Sequence, residues 1–354
     1  MTDLDIARQR LYTQHIAAQS FKKPEEVVKY MGAMQAQDYA GAKWAVGMRM
    51  LRSNDADIDK ALADGSIIRT HVLRPTWHFV SPDDLRWMLE LTAPRITALS
   101  AGRYRQLKLD SAVFKLSHDT LAKALEGGKQ LDRFEVEEAL QQAGVKTDEQ
   151  RLIHLLMQAE LDKVICSGGR QGKQFTYKFF DDRVPMGNPF VKEEALAELV
   201  KRYFVSRGPA TLHDFAWWSG LTLTDAKIGF ENVKTELTSV HSEAKEYWLG
   251  KDQPEINNKV SNTHLLPAFD EFAVAYSDRT AVVNPKYLTQ ARHVIFDPSI
   301  VVNNQVVGTW KRAINKKSVD ITLNLFGKLN QAQTKAVEAA GNRYKKFMKV
   351  DLMP

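Results

Sequence analysis

The sequence predicts a mainly α-helical α+β fold: three tandem winged-helix units, then a small β-barrel-like domain and a C-terminal basic helix. Three observations lead to this prediction. Helix-periodic segments followed by strand-like runs recur up to residue 254. From residue 255 onward, short apolar runs separated by turn signals replace that pattern. The closing segment, Gln331–Met348, has helical periodicity and is rich in lysine and arginine.

The first unit, residues 1–110, reads as helices followed by a hairpin and a further helix. Proline fits the first turn of a helix, so Pro24 predicts the start of a second helix. Two strand-like runs follow, Ile67–Leu73 and Thr76–Val80. Ser81-Pro82 then gives the start signal of another helix. Helices followed by a hairpin predict a winged helix.

The second and third units, residues 111–187 and 188–254, repeat this order. In the second unit the predicted helices are Ser117–Glu126, Asp132–Gln142 and Thr147–Leu161, and the strands are Val164–Cys166 and Phe175–Phe180, joined by a glycine-rich turn at Gly168–Lys173. In the third unit the predicted helices are Lys192–Ser206, Thr211–Trp218 and Thr224–Leu237, and the strand is Glu246–Leu249. Repeats of this size predict an array of small domains.

The last domain, residues 255–354, is expected to be built from strands. Its apolar runs are Thr263–Leu266, Phe269–Tyr276, Val294–Phe296, Ile300–Val302, Gln305–Trp310 and Val319–Leu325. Asn303-Asn304 lies between two of these runs and indicates a tight hairpin turn. So many short strands in one domain predict a barrel-like sheet.

Positive charge is concentrated at one end of the chain. The net charge is +6 and the isoelectric point about 9.1. From Arg292 to the end there are 11 Lys/Arg and 4 Asp/Glu, so the preceding 291 residues sum to about −1. This distribution fits a surface that contacts phosphates, and it equally fits a solvated face that binds nothing. Charge alone leaves both interpretations open.

Several classes of protein and site can be set aside. The single cysteine, Cys166, cannot form an internal disulfide or a zinc site, and the start of the chain has no signal-peptide pattern, so we expect a cytoplasmic protein. No segment is apolar enough to span a membrane. Ser167–Gln174 lacks the first glycine and the Ser/Thr of a phosphate-binding loop. Nucleophile-elbow and dinucleotide motifs are missing too, and we expect no metal and no cofactor.

The unusual local feature is Gln35-Ala36-Gln37. If its backbone is extended, the two amides point to the same side and can grip one small target. An amide both donates and accepts hydrogen bonds, so the pair can hold a water against a developing cationic sugar. The alternative is that two glutamines in a linker are solvated or cap nearby backbone groups.

A set of short motifs along nearly the whole chain resembles the winged-helix DNA glycosylases of the AlkZ/YcaQ type. These motifs are Gln35–Asp38, Arg74–Val80, Gly208–Thr211, Asp214–Trp218, Leu265–Asp270 and Val306–Arg312. The resemblance implies three winged helices with a β-barrel, and excision of N7- or N3-alkylated purines, including interstrand crosslinks in some members. It also implies that the Gln-x-Gln residues Gln35 and Gln37 are catalytic. A related branch has Gln-x-Asp, so this chain looks closer to the crosslink-unhooking branch.

Further candidate residues follow from position. Near the lesion we expect Arg74, Thr76 and His78, although His78 could instead be a hydrogen-bonded histidine that holds the wing. As DNA contacts we expect Arg170 and Lys173 in the second wing, and Lys311, Arg312, Lys316 and Lys317 near the C-terminal hairpin. The expected partner is double-stranded DNA, bound by a nucleoid-associated monomer. A non-catalytic winged-helix regulator or damage sensor is the alternative function.

Overall fold

The structure is a computed structural model that describes residues 1–187, 190–242, 245–254, 256, 262–315 and 318–348. The first part contains α1 (Asp3–Thr13), α2 (Pro24–Met31), β1 (Ala33–Gln35), α3 (Tyr39–Gly47), α4 (Asp55–Asp64), β2 (Ile68–Val72), β3 (Arg74–Val80) and α5 (Pro82–Gln106). Next come α6 (Ser111–Leu125), β4 (Leu131–Asp132), α7 (Arg133–Gln142), α8 (Arg151–Leu161), β5 (Ile165–Ser167) and β6 (Thr176–Phe179). Helices with small antiparallel sheets confirm the α+β class.

The remaining elements complete the chain. They are α9 (Lys192–Arg207), α10 (Leu212–Ser219), α11 (Leu223–Val233), β7 (Leu237–Ser242), β8 (Lys245–Gly250), β9 (His264–Leu266), α12 (Glu271–Val274), α13 (Leu288–Arg292), β10 (Ser299–Val302), β11 (Gln305–Ile314), β12 (Val319–Leu325) and α14 (Gln331–Met348). In the ranges that the structure describes, no helix has the length and apolarity needed to cross a bilayer. The same ranges contain no cluster of three His, Cys, Asp or Glu side chains suited to a metal.

Two large apolar cores lie on either side of one small sheet. Core 1 is formed by buried side chains of α5–α11, β5, β6 and β7, and core 2 by those of α1–α4, β9–β12 and α14. The sheet has the strand order β1-β3-β2. Ala33 and Val80 contribute to core 1, whereas Met34 and Phe79 on the same strands contribute to core 2. Alternation along the strands therefore places β1 between the two cores.

The hairpin of β2 and β3 turns at a different place from the one predicted. Arg74-Pro75 belongs to β3, and the chain turns at Leu73, whose φ is +63°. The register changes from His71 opposite Trp77 to Val72 opposite Arg74, so Pro75 lies in a bulge. A bulge tolerates proline because no ladder hydrogen bond is required there.

The second and third predicted units contain the expected helices with small differences. Two strands escaped prediction. β4 is only two residues long, and β7 begins at Leu237, where the helical pattern of α11 had been extended too far. β4 joins the sheet β4-β6-β5, and β7 pairs with β8. Both sheets are antiparallel.

The C-terminal strands form an open sheet, so the prediction of a barrel is wrong for the described residues. Its strand order is β12-β11-β10-β9, and the two edge strands do not pair with each other there. Two predicted strands have other structures: Phe269–Tyr276 contains the Asp270-capped helix α12, and Val294–Phe296 forms a turn after α13. Too few strands remain to close a barrel. Instead α14 covers the sheet, where Tyr344 packs against Trp310 with 4.9 Å between the ring centroids.

The Asn303-Asn304 turn is confirmed, but the strand after it is longer than predicted. Both asparagines have positive φ, +53° and +69°, as a tight hairpin turn requires. β11 continues to Ile314 and pairs with β12. Lys311 and Arg312 therefore lie within a strand and not at the base of the first hairpin. Lys316 and Lys317 lie outside the described residues.

Candidate active site

The Gln-x-Gln segment runs along the edge of the three-stranded sheet as extended backbone through Ala36, and the chain bends at Gln37. Gln35 is the last residue of β1 and lies opposite His78 in β3, and the Ala36 N–H continues the ladder by donating to the Trp77 carbonyl at 2.7 Å. Ala36 is buried in core 2, Gln35 is half-buried and Gln37 is exposed. Because alternate residues of an extended chain share a side, Gln35 and Gln37 lie on the side away from core 2, and Gln37 Oε1 accepts a hydrogen bond from the Trp77 N–H at 3.5 Å.

A glycine lies near each end of this segment. Before it, Gly32 ends α2 with a φ of +71°, a conformation that suits glycine. After it, a Cβ on Gly41 would lie 2.6 Å from Asp38 Oδ2 and 3.2 Å from Pro267, so a larger residue there would displace the Asp38 carboxylate. Asp38 forms an ion pair with Arg312 of β11 at 3.2 Å. The C-terminal sheet is thereby tied to the residue that follows Gln37.

A buried ion pair holds the backbone of β1 from the other side. Glu271 at the start of α12 accepts a hydrogen bond from the Gln35 N–H at 2.8 Å, and its second oxygen accepts from Arg207 Nε at 2.8 Å and Trp218 Nε1 at 3.1 Å. Arg207 also donates to the carbonyls of Met31 and Ala33. Both charged side chains are at most 2% exposed. In a medium of low polarity such charge-assisted bonds hold β1 rigidly.

A row of polar side chains crosses the core 1 face of the sheet beside Gln35. Gln35, His78 and Thr70 lie opposite one another on three adjacent strands. Within the described part of the chain, Gln35 Oε1, His78 Nε2 and Thr70 Oγ1 are buried without a hydrogen-bond partner, as are Thr76 Oγ1 and Nε and Nη2 of Arg74. Buried polar groups normally have partners, so such a concentration indicates a place for water or substrate.

His78 is held as a neutral hydrogen-bond acceptor. Burial, and then the nearby Arg74 cation, lower the pKa of His78 well below 6.5. Its Nδ1 lies 2.9 Å from the Thr76 carbonyl, to which it donates, and Nε2 therefore carries a lone pair. Burial also lowers the pKa of Arg74, which stays cationic. An acceptor and an arginine thus lie next to the Gln-x-Gln amides.

We expect this burial of His78 to make stability depend on pH. The folded pKa lies below the usual 6.5, so as pH falls the unfolded chain takes up its proton first. Stability is therefore retained above about pH 6.5 and decreases as pH falls below it. In a series of thermal melts, His78→Asn should make the melting temperature decrease less as pH falls. Part of the decrease should remain, because burial also lowers the pKa values of His15, His118 and His154.

The exposed His213 offers a matched control for this measurement. His213→Asn makes the same substitution at a solvent-exposed position, and the two variants are compared by the pH dependence of the melting temperature. If His78→Asn melts with the same pH dependence as His213→Asn, His78 does not titrate as its burial implies.

The second wing lies against the helix that follows the Gln-x-Gln segment. Arg170 is over the ring of Tyr39, 5.1 Å from its centroid, and over that of Phe175 at 5.4 Å. Arg170 Nη2 donates to the Lys173 carbonyl at 3.0 Å, and the side chains of Arg170 and Lys173 are exposed. The structure thus brings Arg170 and Lys173 to the same side of the molecule as Tyr39, close in sequence to Gln37.

The sequence-predicted residues therefore fall into three groups. Gln35, Gln37, Arg74, Thr76 and His78 meet at the three-stranded sheet, Arg170 and Lys173 lie in the wing beside α3, and Lys311 and Arg312 lie on β11. Sequence reasoning missed Arg207 and Glu271. Glu271 directly follows the quoted Leu265–Asp270 motif, and this adjacency was the signal in the sequence that could have found it.

Comparisons with known proteins agree on one family. The family described as "DNA glycosylase AlkZ-like" matches residues 28–347. An interstrand DNA cross-link repair glycosylase from Streptomyces sahachiroi is 24% identical over 332 residues, covering 85% of each chain. The solved structure of the Streptomyces sahachiroi DNA glycosylase AlkZ superposes with a TM-score of 0.78 and 20% identity, over 98% of this chain and 96% of that one.

Proposed function

Since the chain belongs to the AlkZ-like DNA glycosylase family, we propose that it hydrolyses the N-glycosidic bond of purines alkylated at N7 or N3 in double-stranded DNA. The observation that carries this proposal is the pair of amides, Gln35 and Gln37, on one side of an extended segment. Beside them lie buried polar atoms that have no hydrogen-bond partner among the described residues.

The chemistry suits a site without a strong acid. An alkyl group on N7 makes guanine cationic, so the base leaves without being protonated. Water adds its oxygen to the sugar carbon, the base departs neutral, and the water's second proton goes to solvent. The site must stabilise the cationic sugar and orient the water, which preorganised amide dipoles can do. Gln35, Gln37 and the neutral His78 supply acceptors for this purpose.

We propose that the polar residues beside the amides bind the substrate nucleotide. Arg74 and Thr76 lie on the same strand as His78, and their partnerless atoms can bind the sugar or its phosphate. The proposed DNA path runs from the wing at Arg170 and Lys173 to β11. Phosphate contacts there fix register without reading sequence.

The finer architecture is also part of the proposal. We propose winged-helix units over residues 1–110, 111–187 and 188–254, followed by the sheet domain of 255–354 with its basic helix. Each of the first three contains helices and a small antiparallel sheet. Three such units in one chain remove the need for a dimer, so the protein should act as a monomer on the nucleoid.

The relative from Streptomyces sahachiroi is named for repair of interstrand crosslinks, and we propose the same substrate class here. The experiment compares three duplexes containing 7-methylguanine, 3-methyladenine or an N7-linked interstrand crosslink. We expect released base from the first two and separated strands on a denaturing gel from the third. Release from monoadducts without strand separation would confine the activity to simple alkylated bases.

A prediction for β11 follows from the different surroundings of its two cations. Lys311 is exposed, so Lys311→Ala should weaken binding to damaged and undamaged duplex equally. The salt slope, which is the slope of log affinity against log salt concentration, should decrease by about one unit. Arg312 forms an ion pair with Asp38, the residue that follows Gln37. Arg312→Ala should therefore slow base release in addition to weakening binding. Binding titrations at several salt concentrations and single-turnover assays separate the two effects.

Replacing Lys316 and Lys317 as well should lower the salt slope by several units in total. If the quadruple variant binds DNA and releases alkylated base as the unchanged protein does, the DNA path avoids β11. The wing at Arg170 and Lys173 then becomes the main contact.

A further inference from the structure

A cleft separates the second wing from the helices beside the Gln-x-Gln segment. It has a volume of about 260 Å³, and its lining includes Tyr39, Arg69, Ser167, Arg170 and Phe175. Tyr39 begins α3, two residues after Gln37, whereas Ser167 and Phe175 belong to or adjoin the strands of the wing. The cleft thus joins the proposed catalytic strand to a proposed DNA contact.

Arg69 is a buried cation in this cleft, and no carboxylate of the described residues forms a direct ion pair with it. Its side chain lies between the rings of Trp77 and Phe175, 4.1 and 4.6 Å from their centroids, and the residue is 8% exposed. Among the described residues, its side-chain hydrogen bond is that of Nε to the Ala36 carbonyl, at 3.2 Å, and no carboxylate lies within 4.0 Å. Burial lowers the pKa of Arg69 to about 10, and the buried Glu160 carboxylate, which bonds His71 and lies beyond ion-pair distance, raises it in part. A buried guanidinium without a directly bonded anion is unfavourable, which suggests that an anion completes the site.

The other polar groups of the cleft are suited to an anion. Arg170 brings a second guanidinium, over Tyr39 and Phe175. Ser167 Oγ accepts from the Arg69 N–H at 3.0 Å, which leaves its own O–H able to donate. Asp59, the acidic group of the lining, is occupied: it accepts from Lys43 Nζ and from Tyr39 Oη, both at 2.7 Å. Two planar guanidinium groups and a hydroxyl match the oxygens of a phosphate.

We propose that this cleft binds one phosphate of the DNA backbone, with Arg69 and Arg170 as its ligands and the adjoining sugar or base against Tyr39 and Phe175. The inference rests on the proposed function in one respect, that DNA is the substrate. Because Arg69 also bonds the carbonyl of Ala36, the phosphate fixes the DNA strand relative to Gln35 and Gln37. The cleft therefore sets the register of the lesion at the amides.

The test uses the full chain and a fluorescein-labelled undamaged duplex, so that no chemistry is required. Arg69→Met keeps an unbranched apolar side chain between the two rings but removes the charge. We expect affinity to fall roughly tenfold at low salt and the slope of log affinity against log salt to decrease by about one unit. Wild-type affinity and slope in a folded Arg69→Met protein would overturn the proposal.

Arg183 supplies a matched control from the same region. Its guanidinium donates to the carbonyls of Ser167, Leu62 and Ala63, so its hydrogen bonds are satisfied by protein groups and it needs no anion. Arg183→Met should lower the melting temperature without changing the salt slope. If Arg69→Met and Arg183→Met change the slope equally, the effect is structural and the phosphate site is refuted.

Neutral methylphosphonate linkages, placed one at a time along the duplex, then identify the phosphate. At the contacted linkage the penalty of Arg69→Met should vanish, whereas it persists at all others. A penalty that is the same at every linkage contradicts a single phosphate site. Inorganic phosphate at millimolar concentration should not compete, and strong competition by it would instead indicate a site for a free anion.

Failure of this site and failure of the proposed function give different results. If Arg69→Met lowers the salt slope but the unchanged protein releases no alkylated base, the phosphate site stands and the glycosylase proposal fails. If base is released and Arg69→Met binds as the unchanged protein does, only the phosphate site fails.

Discussion

Gln35→Ala and Gln37→Ala are each expected to lower the single-turnover rate of base release by about 100- to 1,000-fold, the effect of losing one preorganised polar group at a transition state. The two amides lie on the same side of an extended segment whose middle residue, Ala36, is buried. Neither side chain contributes to a core. Rates on a duplex with a single 7-methylguanine give the measurement.

DNA affinity and melting temperature of both variants should remain close to those of the unchanged protein. Gln142, an exposed glutamine on α7, provides the matched substitution, and Gln142→Ala should release base at the normal rate. If both Gln-x-Gln variants turn over as fast as Gln142→Ala, the catalytic assignment is wrong.

Glu271→Gln is expected to have the second largest effect, on stability and on catalysis together. The substitution leaves Arg207 buried beside a neutral partner, which should cost on the order of 3 kcal/mol of unfolding free energy. It also weakens the hydrogen bond to the Gln35 N–H, so β1 loses its anchor. Base release should therefore slow by tenfold or more even at temperatures where the variant is fully folded, with little change in DNA affinity. Denaturant unfolding and single-turnover rates provide the two readings.

The neighbouring Asp270 separates the two consequences. It is equally buried and pairs with Arg49 at 3.0 Å, but among the described residues its side-chain hydrogen bonds go to Arg49 and the Phe272 N–H and not to β1. Asp270→Asn should destabilise the fold by a similar amount and leave the rate of base release in the folded protein unchanged. If both variants slow release to the same extent, Glu271 acts only through stability.

Local features of the fold were predictable because local chemistry decides them. Pro24 begins α2, Asp132 caps α7 and Asn303-Asn304 forms the turn that its positive φ angles need. The extended Gln-x-Gln segment was predictable in the same way, since the helix ends at Gly32 and an extended chain puts alternate residues on one side. The roles of Gln35 and Gln37 remain predictions.

Features that depend on distant parts of the chain were not predictable. Glu271 bonds Gln35 across 236 positions, and Arg312 reaches Asp38 across 274. No local pattern records such pairs. The barrel failed for a related reason, because Phe269–Tyr276 has an apolar composition that suits a strand, whereas Asp270 accepts a hydrogen bond from the Phe272 N–H and starts a helix.

The most direct test of the central claim measures two products of one reaction. The unchanged protein is incubated in EDTA with a duplex containing one 7-methylguanine, and free base and abasic sites are both counted. Hydrolysis by the paired amides predicts equal amounts of the two, with the strand unbroken until alkali is added. Tight binding to the duplex with neither product formed would contradict the account, and it would indicate a damage sensor or regulator.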